Sequence, residues 1–152
     1  MTSWSARLTD LGIELPEVVA PLAAYVPAVR TGNLVYTAGQ LPIRAGELVR
    51  TGTVGADVPP EEAKDLARLC GLNALAAVHG LVGIDSVTRV VKVVGFVASA
   101  PGFGGQPGIV NGASELFGEV FGDAGAHARS AVGVSELPRN APVEVELIVE
   151  VR

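Results

Sequence analysis

The sequence has few of the residues that stabilise a fold covalently or through metal ions. Its 152 residues include one cysteine, Cys70, and two histidines, His79 and His127. One cysteine excludes a disulfide framework and a cysteine-rich zinc site. Two histidines leave little for a histidine-rich metal centre, and no cofactor motif is present. A chain of this length buries roughly 70% of its unfolded surface, so we expect one domain whose core needs no such support.

Positive charge and long apolar runs are also scarce. The net charge is −5, and only two of the 11 basic residues are lysines. Because affinity for phosphates requires clustered positive charge, this balance argues against a nucleic-acid partner. No run of about 18 uninterrupted apolar residues predicts a membrane span, and the first ten residues show no secretory signal. We therefore expect a cytoplasmic protein without membrane contact.

The apolar residues that are present, 49% of the chain, follow the periods of helices and strands. The predicted elements are a short helix at 3–11, strands at 25–30 and 34–40, a hairpin or short strand at 44–55, a helix at 59–83, a strand at 87–98, a helix at 109–121, and strands at 128–136 and 142–152. Pro27 restricts the first strand to a sheet edge, because it cannot donate to a ladder.

This order predicts an α+β fold, in which a sheet of about six strands carries two helices on one face. Several strands have valine or leucine on both sides, whereas two helices cover only one face of the sheet. A second apolar face requires cover, and in a chain this short a partner subunit is the natural source. We therefore expect an oligomer.

Alternation along the strand at 128–136 places Arg129 on one face with the small residues Ala131, Gly133 and Ser135. Small neighbours leave space beside a guanidinium, whose planar fork binds a carboxylate through two parallel hydrogen bonds. This pattern is typical of a pocket for a small anion. The alternative is that Arg129 pairs with a surface glutamate.

In the last strand, alternation sends Glu144, Glu146 and Glu150 to the face opposite its valines. Such acids are most often a solvated strand face, but one that lines a dry pocket becomes a general acid or base. If the last two strands formed a plain hairpin, Arg129 and Glu144 would lie roughly 20 Å apart. They would then share a site only through another strand arrangement or across a subunit boundary.

Three segments give the sequence a family resemblance. Residues 128–138 (ARSAVGVSELP), with 143–146 (VEVE), resemble the C-terminal motif of the RidA/YjgF family of enamine and imine deaminases. Residues 33–42 (NLVYTAGQLP) resemble its N-terminal strand motif, and Val110, Asn111 and Glu115 match as well. The resemblance covers residues 25–152, so that residues 1–24 are an N-terminal extension to a single RidA-like domain.

The resemblance implies a chorismate-mutase-like fold and a homotrimer with sites between subunits. It assigns binding of a 2-imino acid carboxylate to Arg129 and positioning or activation of water to Glu144. The other implied substrate-binding positions are Tyr25, Ala38, Gly39, Asn111 and Ala131. The implied reaction is hydrolysis of 2-aminoacrylate-like imines to 2-keto acids and ammonia, with no metal or organic cofactor.

The sequence departs from the family pattern at two of these positions. Many deaminating members have serine where this chain has Ala38, and often cysteine where it has Ala131. These losses keep an alternative open, namely a non-catalytic trimeric module that binds a small carboxylate. An RNA-cleaving activity, which older family labels suggest, conflicts with the net charge of −5.

Overall fold

A computed structural model describes residues 3–152; Met1 and Thr2 of the predicted extension lie outside this range. The helices are α1 (Trp4–Asp10), α2 (Pro60–Val82) and α3 (Gln106–Phe121), with short 3-10 turns at Ile84–Ser86, Gly122–Gly125 and Pro138–Asn140. The strands are β1 (Ala28–Thr31), β2 (Leu34–Thr37), β3 (Ile43–Arg44), β4 (Glu47–Leu48), β5 (Val87–Ala98), β6 (Ala128–Val134) and β7 (Val143–Val151).

Five strands form the main sheet in the order β1-β2-β7-β5-β6, and β3 and β4 form a separate two-stranded ribbon. β5 and β6 are parallel, whereas the other neighbouring strands of the sheet are antiparallel. The predicted α+β class is confirmed, and the strand total is close to the six predicted. The last two strands do not form a hairpin, because β5 lies between β6 and β7.

Several strand and helix boundaries differ from the predicted ones, and the differences have local structural causes. β1 begins after Pro27, whose carbonyl accepts a hydrogen bond from Ala38 N at 2.8 Å. β2 ends at Thr37 rather than at residue 40, and Gln40 makes an isolated bridge with Val145. α3 begins at Gln106, earlier than predicted, because Pro107 is well suited to the first helical turn.

Both long helices pack on one face of the sheet, and glycines permit the close contacts. A Cβ at Gly112 of α3 would overlap the Lys64 carbonyl of α2, so the two helix backbones nearly touch. A Cβ at Gly95 of β5 would likewise overlap Val110. The largest fully buried side chains in this layer include Phe117, Leu75, Ile84, Ile109, Leu116 and Leu147.

By length and composition α2 could cross a membrane, but 61% of its most apolar window is buried inside the protein, as in any core helix. Its Cys70 is fully buried. Burial raises the pKa of the Cys70 thiol well above its ordinary value, which keeps the sulfur in its unreactive protonated form.

The described part of the N-terminal segment is anchored to the core. The Trp4 indole N–H donates to the Val87 carbonyl at 2.7 Å, and its ring meets Phe121 edge to face at 5.1 Å. Ser5 donates to Asp85 through its backbone N–H and its hydroxyl, at 2.8 and 2.6 Å. These bonds lower the pKa of the Asp85 carboxyl. The boundary at residue 24 stays a prediction.

The opposite face of the sheet carries no helix, and we call it the open face. Alternation along β7 is as predicted, with its valines against the helices and Glu144, Glu146 and Ile148 on the open face. The remaining large apolar side chains of this face are Val29, Tyr36 and Val132, all more than 40% exposed, and the partly buried Val94 and Phe96.

Candidate active site

The seven predicted site residues fall into two groups within one chain. Arg129, Asn111 and Ala131 lie where β6 meets α3, which we call the arginine edge. Tyr25, Ala38, Gly39 and Glu144 line a cleft beside β1 and β2, which we call the glutamate cleft.

At the arginine edge, the Arg129 guanidinium is held by acceptors from α3. Its Nη1 donates to Asn111 Oδ1 at 2.7 Å and to Ser114 Oγ at 3.2 Å, and its Nη2 donates to the Pro107 carbonyl at 3.3 Å. Arg129 makes no salt bridge within residues 3–152. Within one chain, Arg129 therefore does not pair with a surface glutamate.

His127 fixes the orientation of the Ser114 hydroxyl. Its Nδ1 lies 2.6 Å from the Gly125 carbonyl, which can only accept, so Nδ1 carries the proton. In the neutral ring Nε2 is then an acceptor, and Ser114 Oγ, at 2.9 Å, donates to it. The lone pairs of the hydroxyl are thereby left for the Arg129 guanidinium.

These contacts leave part of the guanidinium fork available. A guanidinium has five N–H donors, and three of those on Arg129 are used by Asn111, Ser114 and Pro107. Nε–H and one N–H of Nη2 find no acceptor among the described residues. Two such donors can bind a carboxylate, and the small side chain of Ala131, on the same face of β6, leaves space nearby.

The glutamate cleft has a volume of about 670 Å³ and is lined mainly by apolar and aromatic groups. Glu144 is its only ionisable carboxyl group in the described chain. Partial burial raises the pKa of the Glu144 carboxyl, and the neighbouring Glu146 carboxylate raises it further. A carboxyl whose pKa is raised toward neutrality can exchange protons with a bound molecule or water.

Gly39 lies directly against the Glu144 carboxylate. A Cβ at this position would overlap Glu144 Oε1, so only glycine leaves the carboxylate where it is. Backbone hydrogen bonds hold the residues on either side of Gly39. Ala38 N donates to the Pro27 carbonyl, and Gln40 N donates to the Val145 carbonyl. Gly39 N–H donates to no protein acceptor within residues 3–152.

The arginine edge and the glutamate cleft do not meet within one chain. Through the strand register, Arg129 lies level with Val93 and Leu147, and Glu144 lies three positions further along β7. Their backbones are on the order of 14 Å apart, by the spacings along and between strands. Arg129 points to the helix-covered face, whereas Glu144 points to the open face. The sheet itself therefore separates the two side chains.

Within residues 3–152, no three histidine, cysteine, aspartate or glutamate side chains are grouped so that they could hold a metal ion.

Comparison with known proteins identifies the family of this chain. Residues 5–151 match the family model described as "YjgF/chorismate_mutase-like, putative endoribonuclease". The chain belongs to the YjgF family. The resemblance found in the sequence is thus confirmed, and so is the chorismate-mutase-like fold.

Individual relatives cover almost the whole chain. Protein TCP17 of Trypanosoma cruzi is 43% identical over 148 residues, which are 96% of this chain and 92% of that protein. A 2-iminobutanoate/2-iminopropanoate deaminase of Dermatophagoides farinae is 35% identical, over 90% of this chain and 93% of the relative. The crystal structure of protein Atu1372 of Agrobacterium tumefaciens, with unknown function, has a TM-score of 0.90 at 44% identity and covers 98% and 92% of the two chains.

The sequence analysis missed two residues of this candidate site. These are Ser114, which accepts a hydrogen bond from Arg129, and His127, which orients the Ser114 hydroxyl. A signal was available, since Asn111 and Ser114 are three residues apart on one helix and therefore share a face. That this face meets Arg129 depends on the tertiary packing of α3 against β6.

Proposed function

We propose that the protein hydrolyses 2-imino acids and their enamine tautomers, the 2-aminoacrylate-like class, to 2-keto acids and ammonia. The observation that carries this proposal is the Arg129 guanidinium, which is held by Asn111, Ser114 and Pro107 and keeps two donors for a carboxylate. Several relatives named as 2-iminobutanoate/2-iminopropanoate deaminases support it. A cytoplasmic location belongs to the same proposal.

The proposed hydrolysis needs one group that binds the substrate carboxylate and one group that transfers protons. An imine carbon is electrophilic, so water adds to it, forming a C–O bond while the nitrogen gains a proton. The resulting carbinolamine collapses, its C–N bond breaks, and ammonia leaves as the C=O bond forms. Glu144, whose pKa is raised by burial, accepts a proton from the attacking water and delivers it to the imine nitrogen. In the collapse it accepts the carbinolamine hydroxyl proton and delivers it to the departing amino group.

The proposal places the site between subunits of a homotrimer. The arginine edge and the glutamate cleft are complementary, but they lie on different surfaces of one chain. A head-to-tail contact pairs the arginine edge of one chain with the glutamate cleft of the next, and three such contacts close as a ring. In such a ring the neighbouring chain covers the apolar open face, including Val29, Tyr36 and Val132.

A second function has one observation in its favour. Ala38 and Ala131 contribute no polar side-chain atom, so the substrate is oriented by the Arg129 fork and backbone groups alone. A trimeric module that binds a small carboxylate without turning it over would need no more than this. Tight binding of a 2-keto acid by calorimetry, together with no imine hydrolysis, would favour this binding module.

The test is a coupled assay in which an amino acid oxidase or dehydratase generates imino acids in situ. We expect the wild-type protein to accelerate ammonia release and Arg129→Ala to lose this acceleration by about 100-fold or more. Arg44→Ala, which removes an exposed guanidinium from β3, is the matched control and keeps full activity. An undiminished rate in Arg129→Ala would remove Arg129 from the mechanism.

Light scattering tests the assembly separately from the chemistry. The proposal expects the mass of three chains for the wild-type protein and for both variants. A monomeric mass would contradict the site between subunits whatever the assay shows.

A further inference from the structure

A cleft of about 710 Å³ lies outside both halves of the candidate active site. One wall is the extended segment at residues 16–22, which we call the strap, and the other is the β3–β4 ribbon. Asn73 of α2 and Arg139 also line it. We call it the strap cleft, and it shares no lining residue with the glutamate cleft.

Asn73, which lines this cleft, has an unsatisfied acceptor. The residue is 1% exposed, and its Nδ2 donates to the Leu41 and Ile43 carbonyls at 3.1 and 2.9 Å. Because both partners only accept, the amide nitrogen must face them, and the amide cannot be flipped. Its Oδ1 therefore has a fixed position, and within residues 3–152 no donor reaches it. A buried acceptor without a partner costs desolvation free energy, which a bound donor recovers.

Arg139 brings an unpaired positive charge to the same cleft. Its guanidinium makes no hydrogen bond or salt bridge in the part of the chain that the structure describes. Its backbone is left-handed, with φ at 60° and ψ at 21°, and the next residue, Asn140, has φ at 59°. Residues with a Cβ rarely adopt this conformation, and such strain concentrates at binding and catalytic sites.

The other lining residues add a carboxylate and apolar side chains to the Asn73 amide and the Arg139 guanidinium. Glu17, on the strap, adds a carboxylate, while Val19, Leu22 and Ile43 supply apolar surface. A guanidinium binds a carboxylate with two parallel hydrogen bonds. An amide oxygen and a carboxylate accept hydrogen bonds from an ammonium group. An acid, an amine and an apolar side chain are the three parts of a free aliphatic α-amino acid.

We infer that the strap cleft is a second binding site, which takes a free α-amino acid with a branched apolar side chain. Arg139 binds the carboxylate, Asn73 Oδ1 and Glu17 bind the ammonium group, and the strap and Ile43 enclose the side chain. This site does not depend on the proposed imine hydrolysis, because none of its residues belongs to the arginine edge or the glutamate cleft.

The test is a titration of the full-length protein with L-leucine. It is monitored through the NMR signals of the Asn73 side-chain amide and the Arg139 backbone amide. We expect saturable shifts of both signals. Two analogues each lack one charged group: 4-methyl-2-oxopentanoate has no ammonium group, and 3-methylbutylamine has no carboxylate. Both should bind at least about tenfold more weakly, because each leaves one set of polar partners unpaired.

Variants at exposed positions show whether Arg139 is responsible. Arg139→Asn removes the guanidinium but tolerates the left-handed backbone, so it should fold and bind L-leucine at least about tenfold more weakly. Arg44→Gln, which removes an exposed guanidinium from the ribbon outside the cleft, should bind as the wild type does. Arg129→Ala should also bind as the wild type does.

Three results would overturn the inference: no saturable shift up to about 10 mM L-leucine, equal binding by Arg139→Asn, or equal binding by either analogue. Loss of binding in Arg129→Ala would place the ligand in the candidate active site instead. Because the readout is binding, a protein without imine hydrolase activity could still confirm the strap cleft, and an active hydrolase could still lack it.

Discussion

The arginine edge and the glutamate cleft differ in how much of a working site one chain provides. At the arginine edge, Arg129 is oriented by three acceptors, and one of these, Ser114, is itself oriented by His127. In the glutamate cleft, Glu144 has no cationic partner in the described chain, and its walls are open and apolar. One chain therefore preorganises the group proposed to bind the carboxylate, whereas the group proposed to transfer protons lacks the surface that would complete its surroundings.

The difference follows from where the partners lie in the chain. The groups that hold Arg129 all come from α3, within 22 residues of it. The groups around Glu144 come from Tyr25, Ala38 and Gly39, about one hundred positions earlier in the sequence. The packing of α3 against β6 sets the first region, and the order of strands across the sheet sets the second.

The largest effect is expected in the glutamate cleft, from Glu144→Gln. The amide keeps the shape but cannot carry a proton between water and nitrogen, so imine hydrolysis should fall by about 100-fold or more. Binding of a 2-keto acid at Arg129, measured by calorimetry, should change little. If hydrolysis persisted in Glu144→Gln, Glu144 would not be the proton relay.

The same variant should gain stability at neutral pH. Because burial raises the folded-state pKa of Glu144 above its ordinary value of 4.5, ionisation of Glu144 disfavours the folded state. This loss of stability is absent below that ordinary value and complete once the pH exceeds the raised one. Thermal unfolding should therefore give Glu144→Gln a higher Tm than the wild type at neutral pH and an equal Tm at low pH. A lower Tm at neutral pH would contradict this assignment.

The Glu146→Gln variant separates the two causes of the raised Glu144 pKa, which are burial and the Glu146 charge. Removing the Glu146 carboxylate lowers the pKa of Glu144, because like-charge repulsion is one cause of its rise. If ionised Glu144 is the base, the rising limb of the rate against pH should move to lower pH in this variant. An unmoved limb would assign that limb to another group.

A smaller effect in the same cleft is expected from Gly39→Ala. The added Cβ would overlap Glu144 Oε1, so the carboxylate must move away from the cleft. Because displacement by about 1 Å can cost up to about 100-fold in rate, we expect a loss of about 10- to 100-fold in kcat with a folded protein. Gly118→Ala, whose added Cβ on α3 would meet no other atom, is the control and should stay active. Full activity in Gly39→Ala would show that the Glu144 position is not critical.

The smallest effect is expected at the arginine edge, from Ser114→Ala. Arg129 would lose one of three acceptors but keep Asn111 and Pro107. We expect KM to rise by about tenfold with little change in kcat, because the interaction orients the substrate carboxylate in ground and transition states alike. Ser114→Thr should restore KM, and Ser130→Ala on β6 should leave it unchanged. An equal KM in Ser114→Ala would remove Ser114 from the site.

Much of the sheet could be predicted, because strand alternation is local. The pattern in residues 143–151 correctly assigned Glu144 and Glu146 to one face and the valines to the other. The pattern around Arg129 correctly placed it with Ala131 and Gly133. Proline at position 27 correctly indicated an edge strand.

Strand order and backbone departures could not be predicted from those patterns. No local sequence pattern indicates that β5 lies between β6 and β7, although this strand order determines the distance between Arg129 and Glu144. The exit of Ala38 and Gly39 from the β2 ladder depends on contacts with Val145 and Glu144. The Ser114 and His127 contacts likewise depend on how α3 packs against β6.

The central claim is that one chain supplies Arg129 and a neighbour supplies Glu144, and mixing two inactive variants tests it directly. Arg129→Ala and Glu144→Gln would be unfolded together, refolded as mixed trimers and assayed for imine hydrolysis. If sites are shared, about one quarter of them combine an intact Arg129 with an intact Glu144, so about one quarter of wild-type activity should return. If mass analysis shows mixed trimers and activity stays at the level of the separate variants, the shared site is contradicted.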